Sequence, residues 1–124
     1  MKNTICWTDI PVVDLDRAIA FYSALLAAPV SKQSAEPGGL EFGLLPGADS
    51  GASGCLYVDA DNAPSAKGPL VYLSVEGRLD SAIRAAAKKG GRLLKEKHQI
   101  GPHGFRALIL DSEGNRLALH SMKA

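Results

Sequence analysis

The stretch LDRAI at residues 15–19 returns as LDSAI at residues 79–83, sixty-four positions further along the chain. A second pair of similar stretches has almost the same offset, since PGGL at 37–40 corresponds to PHGF at 102–105, sixty-five positions later. Two pairs of similar stretches with nearly the same offset, at equivalent places in the predicted structure, indicate an internal duplication. We therefore predict two halves of similar architecture, in which LDRAI and LDSAI begin equivalent helices.

Apolar periodicity divides each half into a strand, a helix and three further strands. In the first half Asp14 is a good helix N-cap, apolar residues then recur at helical spacing, and Pro29 ends the helix. In the second half the helical stripe starts at Leu79 and stops at Gly90–Gly91. Strands are predicted at 3–13, 29–35, 40–45, 54–58, 69–75, 92–100, 105–110 and 116–121, with turns at 37–39, 101–104 and 111–115. In the last turn Gly114 and Asn115 are expected to adopt positive φ.

The polar stretch DADNAPSAKG, residues 59–68, separates the two halves and is predicted to be their linker. We expect one domain, residues 1–124, with a first module at 1–58 and a second at 69–124. The single helix of each half can cover only one face of its sheet, so the other face is left as a hollow. The predicted fold class is α+β, with two βαβββ modules whose mixed sheets curl into a cup.

Composition excludes several classes of partner. The 124 residues are 22% charged with a formal net charge of +1, and no basic stripe indicates a nucleic acid partner. No apolar stretch has the length of a membrane span, and the first residues lack the pattern of a signal peptide. Cys6 and Cys55 do not form a C-x-x-C pair and are expected to be reduced thiols in the cytoplasm.

Two motifs carry a resemblance to a known family. VDLDRAIAFYSALL at residues 13–26 and DSEGNRLALHS at residues 111–121 resemble the opening and the close of vicinal oxygen chelate proteins. That superfamily holds glyoxalase I, fosfomycin and bleomycin resistance proteins and extradiol dioxygenases. The resemblance implies paired βαβββ modules, a cup-shaped sheet and a homodimer, in which each cup often combines modules from two chains.

The resemblance also implies four positions for the ligands of a divalent metal, which are normally His, Glu or Gln. Three of these positions fall on Trp7, Leu70 and Ala118, whose side chains have no lone pair to offer a cation. The fourth falls on or just before strand 54–58, where Cys55 is the only conceivable ligand. We therefore predict no metal site of the family type and no cofactor, with a displaced divalent metal site as the alternative.

Strand alternation predicts which side chains line the cup. If Trp7 faces the hollow, Asp9 does too, since it lies two residues further along the strand. By the same rule Tyr72 shares a strand face with Leu70, and His120 shares one with Ala118. The predicted ligand-binding residues are Trp7, Leu70, Tyr72, Arg106, Ala118 and His120, and the candidate catalytic residues are Asp9 and His120. Each has a plainer interpretation: a core or interface filler for Trp7, and a solvated strand position for Asp9 or Arg106. His98 and His103 are expected at the surface, and Cys55 is expected to fill the core.

Three functional hypotheses follow. The first is a cytoplasmic homodimer that binds a small, partly apolar or aromatic molecule in a cup without the family metal ligands. The second is a glyoxalase-type lyase, isomerase or dioxygenase whose displaced metal site uses His98, His103, His120 or Cys55. The third is metal-free acid–base chemistry by Asp9 or His120. None of the three involves a nucleic acid or a membrane.

Overall fold

The computed structural model describes residues 3–34 and 39–124 and contains two helices and eight strands within them. The elements are β1 (Trp7–Pro11), α1 (Leu15–Leu26), β2 (Ser31–Ser34), β3 (Glu41–Leu44), β4 (Ser53–Tyr57), β5 (Val71–Ser74), α2 (Leu79–Lys88), β6 (Arg92–Gln99), β7 (Phe105–Leu110) and β8 (Arg116–Ser121). A short 3-10 helix at Gly101–His103 occupies the turn predicted before β7. The turn predicted at 37–39 lies, apart from Gly39, outside the described residues.

Each half of the chain builds one four-stranded sheet, and the two sheets have equivalent strand orders. The orders are β1-β4-β3-β2 and β5-β8-β7-β6. In each sheet the first strand of the half runs parallel to its last strand, whereas the other neighbours are antiparallel. The predicted α+β fold with a repeated βαβββ order and mixed sheets is therefore confirmed.

Element boundaries differ from the predicted ones for physical reasons. β1 begins at Trp7 rather than at residue 3, because its partner β4 begins at Ser53, which is paired with Trp7. α1 ends at Leu26, three residues before Pro29, because Ala27 adopts the left-handed conformation at φ 52°. α1 has 12 residues and α2 has 10. Within residues 3–34 and 39–124, no helix is long and apolar enough to cross a membrane.

The apolar core lies between the two helices and one face of each sheet. Phe21 and Tyr22 on α1 are fully buried, and their rings meet edge to face with centroids 5.2 Å apart. Alternate strand residues enter the same buried cluster, among them Ile10, Leu56, Leu117 and Leu119. The residues between them belong to the opposite face, which places Trp7, Asp9, Ala118 and His120 on the hollow side.

The closing hairpin joins the two halves through Asp111 and Asn115. The Asp111 carboxylate is buried and accepts hydrogen bonds from the backbone N–H groups of Glu113 at 2.8 Å and Asn115 at 2.9 Å. The Asn115 side-chain amide donates to the carbonyl of Pro11 at the end of β1, at 2.8 Å. Gly114 has the expected positive φ of 98°, but the prediction for Asn115 was wrong, since Ala27 alone among the described non-glycine residues has positive φ. Asn115 serves the turn through its side chain instead.

Glu113 of the same hairpin caps the first helix from outside. Its side chain has no exposed surface and accepts from the backbone N–H groups of Val13 and Asp14, both at 2.9 Å. Arg17 on α1 completes the arrangement with two hydrogen bonds to the Glu113 carboxylate, at 2.7 and 2.9 Å. A carboxylate at a helix N-terminus also interacts favourably with the helix dipole. The D-S-E-G-N stretch is therefore a structural clamp between the halves.

Candidate functional site

A hollow of about 1100 Å³ opens beside β1 and β5, the strands at one edge of each sheet. Trp7, Asp9, Leu70 and Tyr72 line it, together with parts of the loops around Pro46 and residues 62–69. Trp7 and Tyr72 are large aromatic side chains that remain 43% and 46% exposed. We call this space the larger hollow. An aromatic surface of this kind, exposed inside a concavity, is typical of a site for small molecules.

Asp9 fixes the polar edge of Trp7 in the larger hollow. The Asp9 Oδ1 atom accepts from the indole Nε1–H of Trp7 at 3.0 Å and from the Cys55 thiol at 3.3 Å. The three side chains meet because Trp7 and Asp9 alternate along β1 and Asp9 is paired with Cys55 across to β4. The indole ring is thereby held at its nitrogen while much of its surface stays exposed.

Cys55 is buried among the core residues, as the sequence predicts. It also lies on the hollow side of β4, where its thiol contacts Asp9. Burial, together with the hydrogen bond to the Asp9 carboxylate and its charge, raises the pKa of the Cys55 thiol to about 11. Cys55 is therefore a thiol at neutral pH, and only the thiolate is an effective nucleophile or metal ligand.

A second space of about 500 Å³, the smaller hollow, lies on the other side of Tyr72. Tyr72, Ile100, His103, Arg106 and His120 line it. Arg106 donates from Nη1 to the Tyr72 hydroxyl oxygen at 2.5 Å, and its guanidinium carbon is 5.9 Å from the centre of the Tyr72 ring. The Tyr72 and His120 ring centroids are 6.2 Å apart. Tyr72 thus borders both hollows.

His98 is half-buried and supports Arg106. Its Nδ1 atom lies 2.9 Å from the carbonyl oxygen of Glu96, and a carbonyl can only accept, so Nδ1 carries the hydrogen. The lone pair on Nε2 is therefore available to accept from Arg106 Nε–H at 3.0 Å. His98 and Arg106 are paired across the β6–β7 hairpin, on either side of the turn at 101–104. A hairpin register predicted from the turn at 101–104 could therefore have placed His98 beside Arg106.

The structure divides the predicted site residues between the two hollows. Trp7, Leu70 and Tyr72 come together around the larger one, and Tyr72, Arg106 and His120 come together around the smaller one. The two candidate catalytic residues are also separated, since Asp9 lines the larger hollow and His120 the smaller. Ala118 has no exposed surface and lies between Tyr72 and Leu108 in the sheet. Its side chain lies beneath the surface that a ligand would touch.

The family of the chain is shown by its sequence. The profile of the glyoxalase/bleomycin resistance protein/dioxygenase superfamily matches residues 4–119, nearly the whole chain. The chain belongs to this superfamily. No curated protein matches it in sequence.

Solved structures of superfamily proteins have the same fold at low sequence identity. A glyoxalase/bleomycin resistance protein from Albidiferax ferrireducens T118 is 17% identical, with 96% of this chain and 98% of that chain covered and a TM-score of 0.73. A glyoxalase/bleomycin resistance protein/dioxygenase family enzyme from Burkholderia phytofirmans PsJN is 15% identical, with 94% and 96% covered and a TM-score of 0.68. The V278E mutant of glyoxalase I from Zea mays is 19% identical, with 94% of this chain but 45% of that chain covered and a TM-score of 0.71. Identities this low show the fold alone.

At the positions that the resemblance predicts for metal ligands, the side chains present do not fit a divalent metal. The indole N–H of Trp7 is a donor already used by Asp9, and Leu70 and Ala118 have no coordinating atom. The Nε2 atom of His120 lies 2.6 Å from the carbonyl oxygen of His103, so it too carries a hydrogen. Across the part of the chain that the structure describes, no three His, Cys, Asp or Glu side chains converge in a way that could hold a metal ion.

Proposed function

We propose that this superfamily member binds a small, partly apolar or aromatic molecule in the larger hollow, without a metal ion of the family type. The observation that carries the proposal is Trp7, a large aromatic residue that is 43% exposed inside a concavity while its indole nitrogen is held by Asp9. A ring fixed in this way offers a flat face to a planar ligand at little cost in side-chain entropy.

The exposed part of Trp7 is large enough to contribute measurably to binding. A tryptophan buries up to ~250 Å², and 43% of that area is about 100 Å². At ~25 cal/mol per Å², covering it is worth about 2–3 kcal/mol before the costs of association. Leu70 and the ring of Tyr72 add further apolar surface on the other side of the larger hollow.

The donor chemistry supports binding that does not depend on a metal. The positions that the resemblance predicts for the family ligands hold Trp7, Leu70 and Ala118. Cys55 is held as a thiol by burial and by Asp9. The alternative, a lyase, isomerase or dioxygenase with a displaced divalent metal, would need ligands from His98, His103, His120 or Cys55. Metal analysis of the purified protein, with and without prior chelation, distinguishes the two. A stoichiometric divalent metal supports the alternative.

Calorimetric titration with 2-naphthamide, a neutral planar probe, tests the binding proposal. We expect saturable binding to the unmodified protein and a loss of at least about tenfold in affinity in Trp7→Ala. Leu94→Ala is the matched control, because Leu94 is 42% exposed and lines neither hollow. Equal affinities of the Trp7 variant and the unmodified protein would contradict the proposal.

We further propose that the protein acts as a cytoplasmic homodimer. The Zea mays glyoxalase I chain is matched over less than half its length, which supports two copies of this chain doing together what one longer chain does there. Ile5 and Leu40 are apolar and 67% and 70% exposed, and contact with a second copy would cover such surface. Sedimentation equilibrium measures the mass directly. A monomer across the micromolar range would contradict this part of the proposal.

A further inference from the structure

The charge of the two hollows is more positive than that of the chain as a whole. Among the described residues that line them, Lys67, Arg106 and Arg116 are cationic and Asp9 is the only anion. With histidines neutral, three positive charges and one negative give +2, compared with +1 for the whole chain. Asp9 is also already engaged by Trp7 and Cys55. The field inside the hollows therefore favours an anionic ligand.

Arg106 is the cation that is best prepared for such a ligand. His98 and Tyr72 hold its guanidinium through Nε and Nη1, and both partners are neutral acceptors. Five N–H groups belong to a guanidinium, so three remain for other partners. The ion pairs of the described residues join Arg17 to Glu113, Lys32 to Asp16 and Glu41, and Lys97 to Asp80, and none involves Arg106.

Arg106 is a half-buried guanidinium whose positive charge is not neutralised by a carboxylate among the described residues. Neutral acceptors fix its orientation but leave its charge uncompensated, whereas a planar fork of N–H groups matches the two oxygens of an oxyanion. Tyr72 lies between this fork and the larger hollow, because its hydroxyl contacts Arg106 and the residue lines both spaces.

We propose that the ligand is an aromatic or apolar acid whose carboxylate or phosphate group binds Arg106 in the smaller hollow while its apolar part extends past Tyr72 toward Trp7. This inference rests on the proposed function, since the apolar part uses the larger hollow. His98 is a positioning residue here: it orients Arg106 and has no direct contact with the acid. His120 lies beside Tyr72 and is the neighbouring ring that the bound acid would meet.

The test compares three probes that share one ring system: 2-naphthoate, 2-naphthyl phosphate and the neutral 2-naphthamide. We expect calorimetry to show that at least one acid binds about tenfold or more tightly than the amide. Arg106→Gln should abolish that difference, and Arg106→Lys should keep only part of it because the fork is lost. Arg84→Gln, an exposed arginine on α2, is the control and should leave the difference unchanged.

The outcomes separate the two proposals. If acids and amide bind equally and Trp7→Ala still weakens them, the inference about the acid fails and the proposed function stands. If no probe binds, both fail. The acid-to-amide ratio of the unmodified protein is decisive even if Arg106→Gln does not fold. Equal weakening of all three probes in Arg106→Gln would assign Arg106 a structural role and overturn the inference.

Discussion

The hydroxyl group of Tyr22 on the first helix donates a hydrogen bond of 2.5 Å to the carboxylate of Asp111 in the last hairpin. Both side chains are buried, and the two residues are 89 positions apart in the sequence. Burial raises the pKa of Tyr22 well above its usual value, and the charge of Asp111 raises it further, so the hydroxyl stays protonated as a donor. The contact fastens the covering helix of one half to the hairpin of the other.

Removing this hydroxyl should destabilise the fold without altering the hollows. In Tyr22→Phe the ring still fills the core, but a buried carboxylate oxygen loses a donor, which costs about 1–3 kcal/mol. Urea unfolding followed by circular dichroism measures the change. Tyr57→Phe is the control, because the Tyr57 hydroxyl bonds Asp59 near the surface and should cost less. An unchanged unfolding midpoint in Tyr22→Phe would show that the contact does not stabilise the fold.

The Glu113 clamp predicts a loss of stability in acid. Burial acts to raise the pKa of Glu113, but the hydrogen bonds from Arg17, from the Asp14 and Val13 backbone and from Ser112 lower it to about 2. A glutamate in an unfolded chain has a pKa of about 4.3. Because the folded value is the lower one, the stabilisation is complete above about pH 4.3 and disappears as the pH falls toward 2.

Glu113→Gln tests whether the Glu113 carboxylate stabilises the fold at neutral pH and loses this effect in acid. The variant should be less stable than the unmodified protein at pH 7, by roughly 1–2 kcal/mol after allowance for the half-exposed Arg17. The difference between the two proteins should shrink as the pH falls from 5 to 2. Urea midpoints at several pH values provide the measurement, and a pH-independent difference would contradict the account.

The contact between Asp9 and Cys55 predicts an unreactive thiol. With a pKa of about 11, Cys55 has little thiolate at pH 8 and should react slowly with iodoacetamide. Asp9→Asn removes the negative charge and should move the pH of half-maximal alkylation downward. The measurement uses a Cys6→Ser background, because Cys6 is exposed and would react first. An alkylation profile that Asp9→Asn leaves unmoved would show that burial alone controls the thiol.

The order of elements could be predicted from the sequence because periodicity reports local conformation directly. Asp14 caps α1 as expected, accepting from the Arg17 N–H at 3.1 Å, and all eight strands fall inside or close to their predicted ranges. Alternation also predicts that Trp7 and Asp9 lie on the same side of β1, and the two side chains are hydrogen-bonded there. These features depend on neighbours in the chain.

The depth and grouping of the site residues could not be predicted in the same way. Alternation assigns Ala118 to the hollow side of β8, but only the packing of neighbouring strands shows that it has no exposed surface. The division into two hollows at Tyr72 depends on how the sheets curve, which strand periodicity does not encode. The support of Arg106 by His98 depends on the register of a hairpin with two irregularities.

Binding of an aromatic molecule to Trp7 in the larger hollow, without a metal ion, is what the proposed function requires. The most direct test is a calorimetric titration of chelator-treated protein with 2-naphthamide, in parallel for the unmodified protein and Trp7→Ala. We expect saturable binding with one site per chain, the same affinity before and after chelation, and an affinity about tenfold or more weaker in the variant. Binding that appears only after a divalent metal is added, or that is equally strong without Trp7, would contradict it.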